Sequence, residues 1–113
     1  MEINKIREIQ IKQDIELNFP VHFISKEDKY VQLSKDLIGL FGEIGEFSNL
    51  VKKIQLKIDG KGYSIDEENI ESMLIEEWVD SFIYMLRISE ILEIDIEKEV
   101  IKKIKINRER YGK

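Results

Sequence analysis

The chain has 113 residues, enough for one domain with a core but short enough that a partner chain could be needed to enclose a site. Apolar residues make up 42% of it and charged residues 36%, and there is only one proline. This composition is typical of helical proteins with densely charged exposed faces, so it argues against a β-rich architecture.

The net charge of −5 argues against a nucleic-acid-binding surface, which usually carries a clustered basic excess. Free nucleotides remain compatible with this charge, because a bound cation can carry their phosphates. The absence of cysteine excludes disulfides and thiolate metal sites. No apolar run approaches the roughly 18 residues of a membrane span, and the start, Met1-Glu2-Ile3-Asn4-Lys5, lacks the order of a secretion signal. We therefore expect a cytoplasmic protein that neither crosses a membrane nor binds nucleic acid.

The first half of the chain predicts two helices. Apolar residues at helical spacing indicate one over residues 3–17, and Phe19-Pro20 ends it. Ser25 is an N-cap residue with Asp28 three positions later, and it begins a long second helix whose apolar residues recur every three or four positions as far as Ile54. Residues 59–62, Asp-Gly-Lys-Gly, predict a turn after this helix.

The second half predicts two more helices. A capping box from Ser64 to Glu67 indicates the start of a third helix that continues to about Leu92. Asp95 caps a fourth helix, in which four apolar residues are expected to face inward: Ile96, Val100, Ile101 and Ile104. No internal repeat, low-complexity tract or shift of composition divides the chain. The sequence therefore predicts a single all-α domain over residues 1–113, built as a four-helix bundle.

Two acidic pairs stand at i, i+3 spacing, one on each of the two central helices: Glu43 with Glu46, and Glu77 with Asp80. This spacing places both side chains of a pair on one face of the helix. In the third helix that face also carries apolar residues, and the opposite face is apolar too, which is typical of a buried helix. Buried carboxylates are costly unless a cation neutralises them, so a divalent metal held by all four acids explains the pattern.

The alternative is that these residues are ordinary surface acids, because the chain has 23 Asp and Glu residues. Either pair alone is weak evidence, whereas their joint occurrence on two helices linked by a short loop favours the metal. Di-iron carboxylate bundles need Glu-x-x-His pairs, and the only histidine, His22, is far from both motifs. Ligation by oxygen alone therefore predicts Mg²⁺, which Mn²⁺ can replace.

Lys103, Asn107 and Arg110 form a polar row along the fourth helix, at i, i+4 and i+7. Such a row could bind phosphate oxygens. Taken alone, it is better explained as a solvated helix face with basic residues near the C-terminal end. Trp78 and Phe82 could stack on a base, but aromatic residues at helical spacing are expected in a core more often than against a ligand.

Three motifs in this order resemble the MazG-like all-α nucleotide pyrophosphohydrolases, in which an E-x-x-E helix precedes an E-x-x-D helix. Residues 40–47, LFGEIGEF, look like the first motif, and residues 76–80, EEWVD, look like the second. Residues 103–112, KIKINRERYG, are similar to the closing Lys, Asn, Arg and Tyr element of the family. The likeness covers about residues 30–112, although the segment around Trp78 departs from the Glu-x-Gly-Asp-Val pattern common in these proteins.

The resemblance implies a role for seven residues. The Mg²⁺ ligands would be Glu43, Glu46, Glu77 and Asp80. The contacts to phosphate or ribose would come from Lys103, Asn107 and Arg110.

The resemblance also implies hydrolysis of nucleoside triphosphates to monophosphate and pyrophosphate by a homodimer or homotetramer, as in nucleotide-pool housecleaning. Either Glu43 or Glu46 would contact the attacking water, and the sequence does not choose between them. Two alternatives stay open. One is a non-catalytic helical module that binds a nucleotide or a metal, and the other is a phosphoribosyl-ATP pyrophosphohydrolase on a similar bundle.

Overall fold

A computed structural model describes residues 2–61 and 69–112. Its four helices are α1 (Ile3–Glu16), α2 (Lys26–Ile58), α3 (Ile70–Ile91) and α4 (Ile96–Tyr111), and the described residues contain no strand. The predicted all-α class is therefore confirmed. None of these helices combines the length and the apolar character that a membrane-spanning helix needs.

Local capping explains where two of the helices begin. The backbone N–H of Asp28 donates to Ser25 Oγ at 3.1 Å at the start of α2, and the N–H of Lys98 donates to Asp95 Oδ1 at 3.2 Å at the start of α4. Both caps were predicted, because a short oxygen-bearing side chain satisfies an otherwise unpaired N–H group of the first turn. The predicted capping box of Ser64 and Glu67 lies outside the described residues.

Three helices end with a residue in the left-handed region: Asn18 (φ 62°), Gly60 (φ 72°) and Glu93 (φ 57°). In each case the following N–H group donates to a carbonyl five residues earlier, as from Lys61 to Leu56, which defines a Schellman cap. The predicted turn is confirmed for residues 59–61, whereas Gly62 lies outside the described residues.

The positive φ of Glu93 is sterically unfavourable for a residue with a side chain, whereas glycine adopts it without strain. We expect Glu93→Gly to stabilise the protein by about 0.5–1 kcal/mol, measured by urea unfolding. Glu93→Ala keeps the Cβ atom and is the matched control, in which no gain is expected. A loss of stability in Glu93→Gly would contradict this account of the end of α3.

The chain divides into two compact units. The first comprises Met1–Leu33 and Leu86–Lys113, and the second is Ser34–Met85. The long helices α2 and α3 each contribute to both units. The division into two units does not decide whether residues 1–113 form a single domain, so the single domain stays a prediction.

The first unit has a small apolar core, in which Ile11, Val21 and Ile91 are buried and Phe23 and Leu33 pack against them. Arginines join its segments around this core. Arg7 of α1 donates to Ser89 Oγ and to the Ile94 carbonyl, and Arg87 of α3 donates to the Pro20 carbonyl. The Arg87 guanidinium also forms an ion pair with Asp14, and both side chains are almost fully buried.

The prediction that the apolar residues of α4 face inward is wrong. Val100, Ile101 and Ile104 are 50%, 47% and 56% exposed, and Ile96 is half-buried. No residue of α4 is buried. The amphipathic pattern identified an apolar face correctly but could not say what covers it, and nothing in the described chain buries that face.

Candidate metal centre

Three carboxylates from two helices converge in the second unit. Glu43 comes from α2, and Glu77 and Asp80 come from α3, where their spacing puts them on one helix face. One carboxylate oxygen from each residue lies within 4.8 Å of the other two, and all three side chains are half-buried. Glu43 is 34 positions before Glu77 in the sequence, yet the three residues form one acidic group.

Two oxygens of this group are shielded from solvent without a donor. No hydrogen-bond donor in the described part of the chain reaches Glu43 Oε2 or Glu77 Oε2. Buried oxygens of this kind are nearly always hydrogen-bonded, and leaving them unpaired costs free energy. A proton, a water molecule or a metal ion could supply the missing partner.

The charges of the group change the acidity of one member. A hydrogen bond with Glu43 raises the pKa of Glu77 from 4.5 to about 7, and a hydrogen bond with Glu46, partial burial and repulsion between the charges act in the same direction. Because a carboxylate only accepts hydrogen bonds, this bond forms only when one of the carboxyl groups is protonated. At neutral pH Glu77 is thus divided between its protonated and ionised forms, and a bound cation would favour the ionised form.

Glu46, the fourth predicted ligand, lies at the edge of the group. Its side chain is exposed, and it adds no oxygen to the cluster of Glu43, Glu77 and Asp80. It is nevertheless close enough to Glu77 to raise the pKa of that residue. The structure therefore brings three of the four predicted ligands together and leaves the fourth beside them. Its role as a ligand stays a prediction.

The donor set fits a hard divalent cation. Mg²⁺ binds oxygen ligands at about 2.1 Å in octahedral geometry, so oxygens that share one ion lie roughly 3–4 Å apart. A group within 4.8 Å needs only small side-chain movements to reach that size. The two unpaired oxygens of Glu43 and Glu77 would gain the positive partner that the described chain does not supply.

A scan against models of known protein families finds no match to this chain, and a search of curated proteins finds none either. The resemblance to MazG-like enzymes therefore rests on the sequence motifs alone. The convergence of Glu43, Glu77 and Asp80 is an observation independent of that resemblance.

The predicted phosphate-binding row lies in the other unit. Lys103, Asn107 and Arg110 are exposed on α4, and the Arg110 guanidinium carbon is 5.3 Å from the centre of the Tyr111 ring. All three belong to the first compact unit, whereas the carboxylates belong to the second. Their contact with phosphate or ribose stays a prediction.

The structure also places the aromatic residues and the histidine. Trp78 and Phe82 stack on each other with ring centres 5.4 Å apart, but Trp78 is 57% exposed, so the expectation that it lies in a core is wrong for this chain. His22 belongs to the first unit, where its Nε2 lies 3.3 Å from Glu90 Oε2.

One contact near the carboxylates was missed by the sequence analysis. Gly39 of α2 lies directly against the ring of Tyr84 of α3. The sequence contained one indication of this contact. Gly39 precedes Glu43 by one helical turn and Tyr84 follows Asp80 by one turn, so the two residues lie side by side if the helices are antiparallel. Together with the carboxylates, this contact shows that α2 and α3 run antiparallel in the second unit.

The raised pKa of Glu77 predicts how pH and metal affect stability. The folded state binds this proton more tightly than the unfolded state, so the stabilisation is complete below pH 4.5 and is lost as pH rises to about 7. We expect the melting temperature of metal-free protein to be lower at pH about 8 than at pH about 5.5 on account of this group, and Mg²⁺ to raise it mainly at the higher pH.

Differential scanning fluorimetry with and without Mg²⁺ measures this effect. Glu77→Gln is the control, because it removes the titrating group and should flatten both the pH dependence and the response to Mg²⁺. An Mg²⁺ effect of equal size at both pH values would contradict the competition between proton and metal.

Proposed function

We propose that this protein is an Mg²⁺-dependent nucleoside-triphosphate pyrophosphohydrolase, which converts a (d)NTP and water into a (d)NMP and pyrophosphate. The observation that carries the proposal is the convergence of Glu43, Glu77 and Asp80 from two helices. Two unpaired oxygens inside this group support a cation as its natural occupant.

The donor chemistry supports phosphate substrates. A site of carboxylates alone prefers Mg²⁺ or Mn²⁺, the ions that accompany nucleotide phosphates. The chain has no cysteine nucleophile, which favours direct attack by water over covalent catalysis. It also has no Walker-type glycine loop, so a metal ion and side chains would have to bind the phosphates.

In the proposed mechanism, Glu43, Glu77 and Asp80 hold the ion, and their partial burial limits competition from bulk water. When bound, Mg²⁺ neutralises phosphate charge and lowers the pKa of a water molecule. Glu46 is exposed beside the group, so its carboxylate can accept the proton of the attacking water. Contacts to the phosphates or the ribose are proposed for Lys103, Asn107 and Arg110. The two basic side chains attract phosphate by opposite charge, and all three can donate hydrogen bonds.

We further propose that the protein acts as a homodimer or homotetramer. The exposed apolar residues of α4, including Val100, Ile104 and Tyr111, support this part of the proposal, because such rows are usually covered in an assembly. Light scattering coupled to size-exclusion chromatography gives the molar mass in solution, and a monomer would contradict it.

The activity is tested with a panel of ribo- and deoxyribonucleoside triphosphates in Mg²⁺. Phosphate is detected with and without added inorganic pyrophosphatase, which distinguishes release of pyrophosphate from release of single phosphates. We expect signal only when pyrophosphatase is added. Release of phosphate without it, or no release from any nucleotide or from phosphoribosyl-ATP, would contradict a pyrophosphohydrolase.

A further inference from the structure

Gly39 and Tyr84 are in contact one helical turn from the carboxylates, as shown above. A Cβ atom built on residue 39 would lie only 2.5 Å from Cε1 and Oη of Tyr84. Carbon atoms in favourable contact are about 3.5–4.0 Å apart. The tyrosine ring therefore occupies the space that any side chain at position 39 would need.

The two other glycines of α2 differ from Gly39. A Cβ atom on Gly42 or Gly45 would meet no atom within 4 Å. All three glycines weaken the helix, since glycine costs about 1 kcal/mol relative to alanine in a helix interior. Among these three glycines of α2, only Gly39 has a close contact that requires the absence of a side chain.

We propose that the contact between Gly39 and Tyr84 sets the spacing of α2 and α3 at the candidate metal centre, with Tyr84 as a positioning residue. This inference rests on the proposed function, because it concerns how the same carboxylates are held. Glu43 lies on one helix and Glu77 and Asp80 on the other, so the distance between the helices decides whether their oxygens meet.

The chemistry of the two residues suits this role. A phenol ring is stiff and has only two side-chain torsions, so it keeps helices apart at a defined distance. Glycine lets that ring rest on the helix backbone, which brings the helices closer than any other residue would allow. Metal sites require their ligands within about 0.5 Å of the productive geometry, so a small change of helix spacing is enough to weaken binding.

The test uses Mn²⁺ alone as the probe, added to the metal-free full-length chain, with free Mn²⁺ measured by electron paramagnetic resonance. Gly39→Ala should weaken Mn²⁺ binding by about tenfold or more, as substitutions that disturb ligand support do. Gly42→Ala is the matched control on the same helix. It should bind Mn²⁺ like the wild type and unfold at a higher temperature.

Variants of Tyr84 separate its ring from its hydroxyl group. Tyr84→Phe keeps the ring and should bind Mn²⁺ like the wild type, whereas Tyr84→Ala should weaken binding. In the Tyr84→Ala background, Gly39→Ala should have no further effect, because the overlap with the ring is gone.

The outcomes are distinct. If the wild type does not bind Mn²⁺, the metal centre and this inference both fail. If the wild type binds and folded Gly39→Ala binds equally well, the inference fails and the metal centre stands. If Gly39→Ala does not fold, Tyr84→Ala decides, since unchanged Mn²⁺ affinity in that variant overturns the spacing role.

Discussion

Glu77→Gln is expected to abolish pyrophosphate release while raising the stability of the metal-free protein. The substitution removes a charge that the ion needs, so activity should fall by about 10²-fold or more. The same charge is unfavourable in metal-free protein, because Glu43 and Glu46 raise the pKa of Glu77 to about 7. The glutamine amide can instead donate to the unpaired oxygen of Glu43.

Loss of activity together with a gain in stability would show that Glu77 is needed for function rather than for folding. Functional residues often lower the stability of the protein that contains them. Glu76→Gln is the matched control, because Glu76 is the exposed neighbour of Glu77 on α3 and lies outside the three-carboxylate group. It should leave turnover and melting temperature nearly unchanged above pH about 7. A Glu77→Gln variant that keeps wild-type turnover, or loses it only because it unfolds, would contradict the assignment.

The sequence predicted features that depend on local chemistry. Ser25 and Asp95 cap helices because the geometry of a first turn is the same in every protein, and both caps are present. The acidic pair on α3 was visible in the sequence because i, i+3 spacing alone puts Glu77 and Asp80 on one face. Such inferences need no knowledge of how the helices pack.

Several features that depend on the details of packing were not predicted. Nothing in the sequence shows that Glu46 lies at the edge of the acidic group while Glu43 lies inside it, because both share one face of α2. The contact between Gly39 and Tyr84 requires the alignment of two antiparallel helices. Similarly, the α4 pattern could show an apolar face but not that it is uncovered in this chain.

The ion pair between Asp14 and Arg87 is another such feature, and its loss should have a large effect on stability. Asp14 Oδ2 lies 3.1 Å from Arg87 Nη1, and the two side chains are only 4% and 9% exposed. Asp14 Oδ1 also accepts a hydrogen bond from Gln10. Asp14→Ala is therefore expected to cost about 3–5 kcal/mol, because it removes a negative partner of a buried guanidinium.

The cost comes from the weaker compensation of a buried positive charge rather than from a strong attraction in the native pair. The Oδ2 to Nη1 contact is an ion pair without good hydrogen-bond direction. Replacing both partners by apolar residues, Asp14→Leu with Arg87→Met, should therefore recover much of the loss. Arg87 also donates to the Pro20 carbonyl, so the double variant leaves that acceptor to be hydrated and should not exceed the wild type by much.

Urea unfolding of the single and double variants measures these differences. The control is Glu8→Ala, which breaks the pair with Lys5 on the surface of α1, where the two side chains are 68% and 65% exposed. That change should cost no more than about 0.5 kcal/mol. If Asp14→Ala were as mild as Glu8→Ala, the pair would not be buried in solution, and α1 would be held in place mainly by the apolar contacts of Ile11 with Val21 and Ile91.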